Sequence, residues 1–242
     1  NLGLLLVRFS PQYQQENIAL QQVREKISLM EQFYAHLHLL KDNWLRSVLY
    51  GRPVFALELA IPHSGEELSF YVAVPKRLIP AVGKIIQGIF PDASVEESRD
   101  YNIFNPEGAA VASEVVMKEN RFYPLRTYQK LEGDPLKEIT NVFTKLAKVG
   151  EGAALQIIAR PAQKKWGSAL KERAKLLYQG KAQEDVLLKT IRTLGGITGG
   201  SSSEAEKPKF EEPKKLTPLQ EELVRTLEAK ASKPLFETNI RL

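Results

Sequence analysis

Two hydrophobic periods alternate along the first hundred residues. Leu4-Leu5-Leu6-Val7 is a short continuous apolar run of the kind a buried strand carries. Over 25–40, Ile27, Met30, Tyr34 and Leu37 share one helical stripe. Phe55, Leu57, Leu59 and Ile61 then alternate with Ala56, Glu58 and Ala60, the pattern of a half-buried strand. His63-Ser64-Gly65 supplies turn chemistry, and Leu68, Phe70, Val72 and Val74 give the returning strand of a hairpin. Ile79, Val82, Ile85, Ile86 and Ile89 restore the helical stripe, with Pro80 tolerated because it falls in the first turn. After Pro91-Asp92, residues 93–97 suit a last edge strand. The β-α-β-β-α-β order predicts an α+β fold. Its first module, residues 1–103, is expected to be ferredoxin-like, with two helices on one face of a four-stranded antiparallel sheet.

Residues 104–242 predict a second antiparallel sheet-and-helix module. Val111, Val115 and Met117, then Leu125 and Thr127, read as strands around a turn at Glu119-Asn120. Asp134-Pro135 is a helix start, and Ile139, Val142, Phe143, Leu146 and Val149 carry that helix to a stop at Gly150. Ala153–Arg160 is a buried strand ended by Pro161, and two helices follow over about 165–179 and 183–194. Residues 199–215 (GGSSSEAEKPKFEEPKK) are expected to be a flexible linker. Ordering them costs on the order of 20–30 kcal/mol of backbone entropy. Ala205 and Phe210 return only about 3 kcal/mol of that. Thr217-Pro218-Leu219-Gln220 is a capping box opening a helix with Leu219, Leu223 and Leu227 on its apolar side. Residues 235–242 alternate as a strand, with Phe236, Thr238, Ile240 and Leu242 on one face. A strand that stops on an apolar residue asks for a further partner, so the expectation is a segment of a longer chain, open at Asn1 and Leu242.

Composition narrows the chemistry. The 242 residues are 43% apolar and 26% charged, a globular balance, and no apolar run approaches the roughly 20 residues of a membrane helix. With no cysteine, thiolate metal sites, iron–sulfur clusters, disulfides and cysteine nucleophiles are excluded. The net charge of +5 is local. Residues 160–192 hold nine basic and three acidic side chains, an excess of +6 that leaves the remainder at −1. A surface facing phosphate or anionic lipid needs such an excess. Within it, Lys164, Lys171 and Lys175 share one stripe of a helix, and Lys165 and Arg173 complete the candidate contact set.

Other motifs carry less. Gly195–Ser201 has P-loop-like glycine spacing, but Ser201 stands where the phosphate-binding lysine belongs. Gly150-Glu151-Gly152 lacks the third glycine of a dinucleotide fingerprint. His36 and His38 point to different sides of a helix, and His63 belongs to a turn. No Ser/His/Asp set or acidic pair assembles, so no catalytic, cofactor-binding or metal-ligating residue is expected. An RNA-binding sheet needs aromatics on its open face, and only Tyr71 lies opposite the core side of its strand.

Several stretches carry a resemblance: LLLVRFSPQ, FALELAIPHSGEELSFYVAVPKRLIPAVGKIIQGIFPDASVEES, RFYPLRTYQKLEGDPLKEITNVFTKL, GEGAALQIIARPA followed by Trp166, and KASKPLFETNIRL. Together they resemble the region preceding the motor domain in large ATPases related to type IV secretion and conjugation coupling proteins, a region catalogued chiefly as a domain of unknown function. The resemblance implies a non-catalytic accessory region for assembly or substrate engagement at the cytoplasmic face of the inner membrane. Its implied partners are a downstream motor domain of the same polypeptide, further copies of the chain, and DNA or an anionic membrane surface, with no small-molecule substrate. The alternative is a stand-alone nucleic-acid-binding module acting through residues 160–192.

Overall fold

A computed structural model of the chain describes residues 2–9, 20–40, 51–63, 67–118, 120–125, 127, 137–146, 151–179 and 217–242. The 199–215 segment, the 183–194 helix, the Asp134-Pro135 helix start, the Gly150 stop, Ser64-Gly65 and the Gly195–Ser201 motif lie outside these residues. The chain divides into two compact units, one of residues 1–118, 125–162 and 236–242, the other of 119–124 and 163–235.

The first unit is built on strands β1 (Leu2–Phe9), β2 (Phe55–Ile61), β3 (Ser69–Pro75), β4 (Ala93–Ser98), β5 (Glu114–Val115), β6 (Ala153–Pro161) and β7 (Phe236–Arg241). They form a single antiparallel sheet in the order β4-β1-β3-β2-β6-β7-β5. Helices α1 (Leu20–Leu39), α2 (Ile79–Ile89) and α3 (Lys137–Leu146) belong to the same unit. The expected stripes explain their packing. Phe33 and Leu37 of α1 and Val82 and Ile86 of α2 bury against Leu5, Val7, Phe55, Val72 and Val74, with Met30, Tyr34 and Leu57 partly buried beside them. Farther along that face, Phe143 of α3 packs on Leu59, Ile61 and Leu155. Each such side chain contributes about 1.5–3 kcal/mol of burial.

Several expectations need correction. The strands assigned to a second sheet belong to the first one: β6 pairs with β2 over Phe55–Ile61, and β7 pairs with β6. Of the 111–127 pattern only Glu114–Val115 is a strand, while Val111 and Leu125 are exposed and Leu125 and Thr127 lie outside any strand. Val111, Val115, Met117 and Leu125 acquire no facing layer among the described residues. β2 is covered on both faces, because Ala56, Ala60, Tyr71, Ala73, Leu4 and Leu6 bury a second core on the side away from the helices. Tyr101 closes that side, its ring stacked on Tyr71 at 4.7 Å. Gly152 permits the approach: a side chain there would collide with the Ile103 backbone. Tyr71 is therefore buried and offers no open stacking surface. β7 has β6 on one side and β5 on the other, with Leu242 exchanging both backbone hydrogen bonds with Ser113, so that apolar strand is partnered within the described residues.

The second unit holds helices α4 (Lys164–Tyr178) and α5 (Pro218–Ser232). Their interface buries Ala169, Leu170 and Ala174 with Val224 and Leu227, and Phe122 of the 120–124 turn joins them. The capping box forms as expected. Thr217 Oγ1 accepts from the Gln220 backbone N–H at 3.4 Å, and Gln220 Oε1 accepts from the Thr217 N–H at 2.9 Å.

Candidate functional site: the lysine row of α4

Helix α4 carries five basic residues and one acidic one, Glu172. Its chain enters from Gln163, whose extended backbone accepts from the Trp166 N–H at 3.0 Å. Packing fixes how the helix is rotated. Ala169, Leu170 and Ala174 face α5, with Trp166 and Leu177 partly buried at the margin. At 3.6 residues per turn, Lys164, Lys171 and Lys175 then fall within about 40° of one another on the opposite side. All three are exposed, as is Lys165 on the flank, and none has a carboxylate partner among the described residues. The site is a row of three ammonium groups spanning three turns, with a fourth beside it.

Arg173 does not join that row. The helix turns it to the packed side, where it is half-buried and its guanidinium lies 5.5 Å from the Phe122 ring. Arg121 sits over Trp166 at 4.9 Å. Lys230 of α5 donates from Nζ to the carbonyls of Arg121 at 2.7 Å and Tyr123 at 3.1 Å, and burial lowers its pKa below the usual lysine value. These cations clamp the 120–124 turn to the helices and are spent on structure. Arg160, counted in the same basic excess, lies in β6 and hydrogen-bonds Glu237. Arg52 pairs with the same carboxylate at 3.1 Å. Burial would raise the Glu237 pKa, but the hydrogen bonds and charges of Arg160 and Arg52 hold it below the usual carboxylate range.

Glu58 lies outside the expected contact set. It is the one buried charged side chain among the described residues. Tyr101 Oη donates to its Oε2 at 2.8 Å and Gln156 Nε2 donates to its Oε1 at 3.1 Å. Burial raises its pKa, with nearby Asp100 adding to the rise and the two hydrogen bonds opposing it. The Tyr101 hydroxyl is pushed up by burial and by the carboxylate beside it. The trio lines a 740 Å³ cavity that also meets Lys76, Glu97, Asp100 and Arg241. An isolated acid in an otherwise apolar strand was the only signal available.

The histidines stay apart: His36 Nδ1 lies 2.7 Å from the Gln32 carbonyl, His38 packs edge-on to Phe236, and His63 Nδ1 lies 2.8 Å from the Asn102 carbonyl. Among the described residues no group of three or more His, Asp or Glu side chains is placed to hold a metal ion. No helix among them is long and apolar enough to cross a membrane.

A family model, the domain of unknown function DUF8128, matches residues 10–242. The chain belongs to the DUF8128 family. That match of this DUF8128 chain spans the helical pair and every strand of the sheet except β1, which ends at Phe9. No curated protein and no solved structure matches the chain.

Proposed function

We propose that this DUF8128 chain is a non-catalytic accessory region of a membrane-associated translocation ATPase of the type IV secretion or conjugative DNA-transfer kind, and that it engages DNA through α4. The resemblance of the quoted stretches supports the setting. The exposed row of Lys164, Lys171 and Lys175 carries the DNA reading, because three ammonium groups repeated along one helix side match the repeated charge of a phosphate backbone. Phosphate contacts alone give sequence-independent binding, on the order of 10⁻⁴–10⁻⁶ M at physiological salt. In this reading the motor domain of the same polypeptide supplies ATP hydrolysis at the cytoplasmic face of the inner membrane. The strand order β4-β1-β3-β2, with α1 and α2 packed on one face, also supports a ferredoxin-like core within the larger sheet. The alternative, a stand-alone nucleic-acid-binding module, uses the same lysines without the motor.

Labelled single- and double-stranded DNA titrated at low and moderate salt tests the reading, with phosphatidylglycerol vesicles as the competing arm. Wild type should bind DNA with steep salt dependence, and Lys164→Glu/Lys171→Glu/Lys175→Glu should abolish it. DNA binding indifferent to the triple change, or binding to vesicles alone, sinks the DNA reading. A reading frame that continues into Walker motifs supports the motor-linked setting, and one without them leaves the stand-alone module.

A further inference from the structure

Strand β5 closes one end of the sheet, and no strand pairs with its outer edge among the described residues. The other edge, β4, carries Glu96 and Glu97, the charges by which exposed edges resist pairing. The β5 end is different: Val115, the last residue of the strand, and Val116 and Met117 just beyond it are 54%, 76% and 44% exposed. Three successive exposed apolar residues at and just past an edge with no paired strand among the described residues are a template for strand addition.

Hydrogen-bond parity limits the register. Ser113 exchanges both backbone bonds with Leu242, so the odd-numbered residues of the strand face β7. The backbone groups of Glu114 therefore point outward, and continuing the strand past Val115 turns those of Val116 outward as well. We propose that this edge pairs antiparallel with the same edge of a second copy of the chain, about a two-fold axis at Val116. A self-complementary interface of this kind closes on itself as a dimer.

Charge selects that register. With the axis at Val116, Glu114 comes opposite Lys118 of the second copy, and the pair occurs twice by symmetry. Moving the axis to Glu114 would set two like charges directly opposite, which is unfavourable. Moving it to Val115 leaves Glu114 facing Val116, with no compensation. Lys118 stands at a bend just past β5, and its four-carbon stem lets the ammonium reach the carboxylate. Glu114 also accepts a hydrogen bond from Asn239 Nδ2 within its own chain, which fixes the carboxylate at the edge.

The chain has no cysteine, which makes cross-linking a clean test. Hydrogen-bonded antiparallel partners lie about 5.5 Å apart at Cα, within disulfide range. Val116→Cys should form a disulfide-linked dimer on mild oxidation. Val111→Cys should not, although Val111 is 94% exposed, because its symmetry mate lies roughly 33 Å away along the strands. Sedimentation equilibrium of the intact chain should show a reversible dimer. Glu114→Lys or Lys118→Glu alone should weaken it about tenfold, and the double exchange should restore it. The rescue separates the interface from loss of the Asn239 contact, which the double exchange does not return. A monomer at every concentration up to about 200 µM overturns the pairing, as does equal cross-linking at Val111 and Val116. A dimer that the double exchange fails to rescue overturns the register. None of these residues belongs to α4, so failure of this pairing and failure of the lysine-row reading are separate outcomes.

Discussion

In the sheet unit Glu58 and Glu237 each lie among hydrogen-bond donors, whereas in the helical unit Lys164, Lys171 and Lys175 stand on an exposed helix side with no carboxylate paired to them among the described residues. The sheet unit spends these two charges internally. Glu58 holds Tyr101 over the second core, and Glu237 ties β7 to Arg160 and Arg52. The helical unit spends Arg121, Arg173 and Lys230 in the same way, on Trp166, Phe122 and the 120–124 carbonyls, and leaves its lysine row to solvent. The net charge of the segment is therefore a poor guide to its surface. What matters is which cations packing has already consumed.

The largest effects should come from the two cores. Phe55→Ala in the sheet and Leu227→Ala between α4 and α5 each remove a fully buried side chain. Denaturant unfolding followed by circular dichroism should show losses of about 3–5 and 2–5 kcal/mol respectively. A loss below 1 kcal/mol at either site would contradict its packing.

Next comes Glu58. Replacing it with Ala strands the Tyr101 hydroxyl and the Gln156 amide, and should cost about 1–3 kcal/mol. Its pH signature is distinctive. A folded pKa raised above the unfolded value of about 4.3 gives stability that is present below that value and fades as pH rises through the folded pKa. Glu237 has the opposite sign, so its contribution is present above about 4.3 and fades as pH falls through the lower folded value. Unfolding free energies of Glu58→Gln and Arg160→Ala measured against wild type from pH 3 to 8 should separate the two. The wild-type advantage over the first should shrink toward high pH, and over the second toward low pH. Parallel curves would refute the contrast.

Thr217→Ala opens the capping box of α5 and should cost about 1 kcal/mol in the same unfolding measurement. The lysine reversals should be smallest for stability, within roughly 0.5 kcal/mol each, because nothing packs on those ammonium groups. Their effect belongs to binding, where losing three phosphate contacts should reduce the slope of log affinity against log salt by about 2–3. A large stability loss with unchanged binding would reverse the comparison between the units.

How much of this could be read along the chain depended on range. The stripes of α1, α2 and α4 were legible because helical neighbours are three or four residues apart, and so was the row Lys164, Lys171 and Lys175. The contact of Arg173, which the sequence placed in the contact set beside that row, with Phe122 was not legible, because Phe122 lies 51 positions earlier in sequence. The strand pattern at Val111 and Leu125 misled because alternation marks a face without saying whether anything will cover it.

The sequence by itself determined the local elements: the capping box at Thr217, the proline-tolerant start of α2, and the apolar faces that each helix and strand would bury. Those follow from energies between residues within one or two turns. Only the tertiary structure decided that β6 and β7 would extend the first sheet, that Glu58 would be satisfied by Tyr101 and Gln156, 43 and 98 residues away, and that Val115 at the end of β5 and Val116 and Met117 beyond it would stay exposed. Strand pairing and buried-polar satisfaction are settled by whichever distant groups fit together, and no local period encodes that choice.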